Sequence, residues 1–176
     1  MKKLLFLLLL MIPAFAFAGD DPLTAVEEAQ GIIDLHLCRD DHIGVELLCN
    51  RQWKQEMDPH AVMMVISEDP AVLLTVAKAE QPVTGIGELT NERLKTLGQY
   101  ADGFKVEHLQ INGDEAVRVE GFASNFPEMH LLDFYVIHDY TLYSFLFSVN
   151  PKEAWDNYTV LFEKIAQSIK IPDRKP

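Results

Sequence analysis

The sequence predicts an α+β fold: a mostly antiparallel sheet with one helix mid-chain, about residues 91–102, and one at the end, about 151–169. Three observations predict it. Strand-like runs follow one another across turn-sized gaps, and gaps that short join only antiparallel neighbours. Asn112-Gly113 stands between two such runs, which is the strongest short hairpin signal because both turn positions need positive φ. Trp155, Tyr158, Phe162, Ile165 and Ile169 recur at steps of three and four, the spacing of one helical face.

The first element is not part of that fold. Lys2 and Lys3 precede an apolar run from Leu4 to Ile12, which Pro13 breaks, and Ala16-Phe17-Ala18 follows. A basic end, an apolar core and small residues at a cleavage site make a secretory signal peptide. The run falls well short of the roughly 20 apolar residues that span a bilayer. Residues 1–18 are therefore expected to be removed, leaving an exported protein, periplasmic or secreted, that begins at Gly19 with no membrane insertion after cleavage. No cysteine stands at the cleavage point, which argues against a lipid anchor.

Removal of the signal takes away two of the 15 basic residues and leaves 13 against 27 acidic ones. A surface this acidic repels phosphate backbones and anionic lipid, so nucleic acid is excluded as a partner. Residues 32–172 are enough for a single domain with a sizeable core. Residues 19–31 are a polar N-terminal segment, in which Thr24 and Glu27 have the spacing of a capping box. Residues 173–176 are read as a tail.

Apolar residues at 32, 33, 35 and 37 suggest a first strand, and the alternation of Ile43, Val45 and Leu47 a second, with Arg39–His42 as the connection. The runs AVMMVIS and AVLLTVAKA flank Glu68-Asp69-Pro70, which is turn material. Both runs are apolar on both faces, which predicts a hairpin that is central in the sheet or covered on both sides. Thr90 can cap the middle helix, whose stripe is Leu94, Leu97 and Ala101, with Gly103 as its terminator. Residues 104–110 and 115–122 flank the Asn-Gly turn. Residues 129–138 and 142–149, both rich in aromatics, form a last hairpin. Its first strand carries large side chains on both faces, so either both faces are covered or one is a patch for a partner; coverage is the expectation. Asn150 can cap the final helix, with Pro151 at its first position, and Pro172 stops it.

Several of these stretches resemble the PsbP-like family, which includes bacterial periplasmic DcrB-like proteins. They are IGVELLCNRQWKQ, AVLLTVAKAE, LTNERLKTLGQY, QINGDEAVRVEGFAS and LYSFLFSVNPKEAWDNYTVLFEKIAQSIKI. The resemblance spans roughly residues 32–171 and rests on apolar periodicity and turns, not on a catalytic signature. It implies an α/β/α sandwich around a central antiparallel sheet. It also implies a non-catalytic binding or assembly role toward a protein partner in the cell envelope. A shared fold does not by itself fix a function.

Chemistry-bearing residues are sparse. His36, Cys38, His42 and Cys49 together offer the atoms of a four-ligand zinc site, but the spacing H-x-C-x3-H-x6-C matches no standard zinc pattern. In an oxidising compartment two cysteines pair, and a paired cysteine has no thiolate to lend a metal. A Cys38–Cys49 disulfide is the expectation. If Arg39–His42 were a tight turn, Cys49 would lie too far along its strand to reach Cys38, so the disulfide would require residues 32–38 to leave a simple hairpin. No nucleophile elbow and no Gly-rich phosphate loop is present, and no catalytic residue and no cofactor is assigned. His130 and His138, eight apart on a predicted strand, read as surface residues. The expected function is a non-enzymatic module acting through protein–protein contact. The alternative is a small-ligand carrier or a hydrolase with a site in a cleft.

Overall fold

A computed structural model describes residues 34–79 and 82–173. The expected signal peptide, residues 1–18, the polar segment 19–31 and Ile32-Ile33 lie outside the described residues. The chain folds mainly as antiparallel sheet with few and short helices. Seven strands form one open sheet in the order β3-β4-β5-β9-β8-β7-β6, and β1 and β2 form a separate two-stranded one.

The β1–β2 hairpin is Leu35–Asp40 and Val45–Asn50. Its turn falls at residues 41–44, not 39–42, because Gly44 takes the positive φ of 83° that closes it. Asp40 Oδ1 accepts from the Ile43 backbone N–H at 2.7 Å and pins the turn from inside. The later turn shifts the register so that Cys38 faces Leu47 and Cys49 faces His36. The expectation that residues 32–38 must leave a simple hairpin is thereby corrected: β1 stays paired throughout.

β3, Lys54–Asp58, had no counterpart in the sequence reading. Every residue in it is exposed, so it carries no alternating apolar signal. It is the edge of the large sheet, pairing only with β4, Ala61–Ser67. β5, Ala71–Lys78, continues the sheet. Val62, Met64, Val72, Leu74 and Val76 are buried on one face. The other face of this hairpin is half-buried, so coverage there is one-sided, and of the two expected arrangements the hairpin takes the one inside the sheet, between β3 and β9.

The middle helix is shorter than its periodicity suggests. α1 runs Asn91–Thr96 and stops. Thr90 caps it by accepting from the Arg93 N–H at 3.3 Å. Gly98, at φ 72°, ends it five residues before the expected terminator Gly103. Leu94 is fully buried, but Leu97 is 47% exposed because it falls in the cap and not on the buried face. Residues 99–104 then run beside β7, and Tyr100 bridges to Ala123.

β6 and β7 are Lys105–Ile111 and Asp114–Phe122, joined by Asn112 and Gly113, both at positive φ as the Asn-Gly signal requires. Gly121 permits a close approach: a Cβ there would lie 2.7 Å from Phe104 Cβ. β8 and β9 are His130–His138 and Thr141–Asn150, joined by Asp139 and Tyr140, again both at positive φ. β8 is buried on both faces over Leu131–Val136, in line with the covered alternative.

The expected single helix 151–169 is two pieces. A 3-10 turn spans Lys152–Asn157, and α2 spans Thr159–Ser168. Asn150 is the last residue of β9 and not a cap, and no side chain caps α2. The stripe itself holds: Trp155, Tyr158, Phe162, Ile165 and Ile169 are all buried. The change of helix type at Tyr158 keeps those side chains on the sheet while the backbone turns.

Two cores result, one on each face of the large sheet. The larger packs Leu132, Phe134, Phe145 and Phe147 against Phe162 and Ile165 of α2 and against Val45 and Leu47 of β2. The smaller packs Val117, Val119, Leu131 and Tyr135 beneath Leu89 and Leu94. One face is thus covered by α2 with the β1–β2 hairpin, and the other by α1 and its flanking segments. The hairpin is fixed to the C-terminus by paired backbone bonds between Glu46 and Lys170, both 2.8 Å, and by Ser168 Oγ accepting from the Leu48 N–H at 2.8 Å.

Candidate functional site

Strand order fixes where the turns gather. The β3–β4, β6–β7 and β8–β9 turns and the end of β5 all lie at one end of the large sheet, because each neighbouring pair is antiparallel. The β1–β2 turn joins them: a carbonyl can only accept, so His42 Nε2–H donates to the Pro59 carbonyl, at 2.6 Å. The C-terminal segment arrives there too, since the Asn112 side-chain amide donates to the Ile169 carbonyl. Turns held on a rigid sheet are where binding residues concentrate.

The grouping at this end centres on His138. Its Nδ1 lies 3.1 and 3.0 Å from Oδ1 and Oδ2 of Asp114, at the start of β7. Its Nε2 faces Asp139 Oδ2 at 3.6 Å and Asp173 Oδ1 at 3.5 Å. The imidazole is largely buried, with 12% of its side chain exposed, whereas Asp139 and Asp173 are open to solvent. Beside this group, His42, His60, Lys78, Pro82, Asp139 and Thr141 line a cavity of about 360 Å³. Asp139 belongs to both.

Of the sequence-derived zinc set, His36, Cys38 and Cys49 come together and His42 does not. Cys38 and Cys49 are disulfide-bonded with Cα atoms 5.8 Å apart, within the range such a bond spans. His36 Nε2 lies 3.4 Å from Cys38 Sγ and 3.9 Å from Cys49 Sγ. His42 stands apart, bonded to Pro59. Sulfurs committed to each other offer no thiolate to a metal, so the grouping here is a histidine beside a disulfide.

His130 and His138 sit at opposite ends of β8 and form no common site. Neither is a surface residue. His130 stacks on the Trp155 ring at 3.8 Å and 8° and lies 3.3 Å from Glu120 Oε1. Burial pulls its pKa below the usual histidine value, partly offset by Glu120.

One buried group went unread in the sequence. Asp133, in the middle of β8, is fully buried. Ser144 Oγ donates to both of its oxygens, at 2.9 and 3.0 Å. The phenols of Tyr100 and Tyr135 lie buried beside it, and burial first, then the Asp133 charge, holds both above the ordinary tyrosine range. Burial pushes Asp133 itself up to about 6, against the hydrogen bond from Ser144. Its signal was present: a lone carboxylate inside HLLDFYVIH is costly unless hydrogen-bonded. Nothing in the sequence pointed to the meeting of Asp114, His138 and Asp173, which depends on the return of the C-terminus.

An open antiparallel sheet with a helix and a hairpin on one face and a short helix on the other is the PsbP-like fold. One solved structure with this likeness is the solution structure of cyanobacterial PsbP (CyanoP) from Synechocystis sp. PCC 6803. The two match with a TM-score of 0.60 over 79% of this chain and 93% of that chain, at 20% identity. A protein of unknown function from Pseudomonas aeruginosa, PA94, described as a putative regulator, matches at a TM-score of 0.49 and 14% identity over 80% of this chain and 99% of that chain. No family model and no curated protein matches the chain.

Proposed function

We propose that the protein is an exported, non-enzymatic binding or assembly module that meets a protein partner in the cell envelope through the turn-bearing end of its sheet. The observation that carries this reading is the gathering of three hairpin turns, the β1–β2 turn and the C-terminal segment at that one end. The signal-like N-terminus supports export, and a Cys38–Cys49 disulfide suits an oxidising compartment. In this reading α1 and α2 are the outer layers of an α/β/α sandwich. The likeness of fold to CyanoP supports a module of this kind.

Affinity capture from periplasmic extract tests the proposal. The wild-type protein should enrich a discrete partner. A variant altered at Asp139, His60 and Lys78 should lose it while keeping its thermal transition. Equal capture by both would move the contact elsewhere, and capture of nothing by either would remove the reading.

A second reading, a small-ligand carrier, is favoured by the cavity between His42, His60, Lys78 and Thr141. Its lining brings histidine, lysine and carboxylate groups into one hollow. Saturable binding of a small molecule without protein capture would decide for it.

A further inference from the structure

We infer that the turn-bearing end of the sheet holds a divalent cation of the zinc class, ligated by His138 Nε2 and the carboxylates of Asp139 and Asp173, with Asp114 positioning the imidazole. This does not depend on the partner-binding reading.

The two sides of the His138 ring are unequal. Nδ1 is at hydrogen-bond distance from Asp114, 3.0 and 3.1 Å. An ionised carboxylate can only accept, so Nδ1 carries the proton. A neutral ring then leaves its lone pair on Nε2. That atom is sealed from solvent and has no hydrogen-bond partner. It points at two carboxylate oxygens 3.5 and 3.6 Å away.

The spacing suits an ion in between. One ligand atom from each of His138, Asp139 and Asp173 lies within 4.8 Å of the others. Tetrahedral zinc, with bonds of about 2.0–2.1 Å, separates its ligand atoms by about 3.3 Å. The Nε2 separations exceed that by only a few tenths of an ångström. An imidazole whose other nitrogen is held by a carboxylate is the usual arrangement behind a metal-bound histidine. The nitrogen ligand favours zinc-class ions over magnesium or calcium. Three carboxylates around one imidazole, in a chain with 27 acidic residues, attract a cation. The exposure of Asp139 and Asp173 leaves the remaining position open to water or to an outside ligand.

The test titrates Zn²⁺ into the purified wild-type protein and follows heat together with the ¹⁵N shift of His138 Nε2. The expected result is saturable one-to-one binding with a large shift at Nε2 and little at Nδ1. Asp139→Asn keeps a residue that tolerates positive φ, and Asp173→Asn lies on an exposed segment, so neither should disturb folding. Each should weaken binding at least tenfold. Asp114→Asn should weaken it about 10- to 100-fold while leaving the one-to-one stoichiometry. The inference is overturned if Zn²⁺ does not bind, if D139N and D173N bind as wild type does, or if His138 proves doubly protonated with Zn²⁺ present.

Discussion

Cys38 and Cys49 are joined across a diagonal of the β1–β2 hairpin and not across a rung: Cys38 pairs with Leu47, Cys49 with His36, and the two Cα atoms are 5.8 Å apart. The bond therefore links the His36–Cys49 and Cys38–Leu47 rungs across the intervening Leu37–Leu48 rung, and fixes the register of the hairpin as well as its closure. A hairpin slipped by one residue would exchange its buried and exposed faces, taking Val45 and Leu47 out of the core.

Cys38→Ser with Cys49→Ser should accordingly lower stability by about 3 kcal/mol, the loop-entropy estimate for a closed loop of this size. Urea unfolding of the double variant beside the wild type, with and without reductant, measures it. Reductant should shift the wild type toward the variant and leave the variant unchanged.

Asp133 makes stability depend on pH in the direction opposite to most carboxylates. Its folded pKa, about 6, lies above its ordinary value of 3.8. Between these values the folded state binds more protons than the unfolded, so stability from this group is complete below about 3.8 and is lost as pH rises through 6. Relative to Asp133→Asn, the wild type should gain on the order of 2–3 kcal/mol between pH 7.5 and pH 3.5. Denaturant midpoints of both proteins across that range give the difference.

His130 works against it. Its folded pKa is depressed by burial, so the unfolded chain takes up the proton first as pH falls below about 6.5, and stability falls with it. His130→Phe keeps an aromatic ring against Trp155 and removes the titration. The melting temperature of the variant relative to the wild type should rise as pH falls from 7.5 to 5.5, because the opposing Asp133 contribution is left alone.

The early end of α1 can be read from two leucines three residues apart. Leu94→Ala should cost about 2–5 kcal/mol, as for a buried leucine. Leu97→Ala, at a half-exposed cap position, should stay within about 0.5 kcal/mol. Equal losses would mean that the helix continues past Thr96.

Much of this fold was legible because hydrophobic period and turn chemistry agree. The Asn112-Gly113 hairpin, the β4–β5 and β8–β9 pairs and the C-terminal stripe follow from local rules. Three features escaped for physical reasons. β3 is exposed along its whole length and so has no period to see. α1 obeyed the nearer of two glycines, since Gly98 can adopt the terminating conformation as well as Gly103 can. The turn of the first hairpin was set by Gly44 and by the Asp40 side chain, not by the polarity of Arg39–His42. The grouping at His138 draws on residues separated by most of the domain, and no local pattern encodes it. His36, Cys38, His42 and Cys49, close in sequence, looked more like a site; three of them meet around the disulfide, and His42 turns away to Pro59.

The partnership of the first hairpin with the last residues bears on how the chain matures. Leu48 and Ser168, 120 residues apart, share a hydrogen bond, and Glu46 pairs with Lys170. Contacts this distant in sequence form late and slow the search for the native state. A chain leaving a membrane pore N-terminus first would hold its earliest hairpin without a docking surface until the final turn of α2 emerged. Under the proposed export, acquisition of the native state would be set by the arrival of the last segment, and the polypeptide would stay pliant enough to thread while it was being threaded.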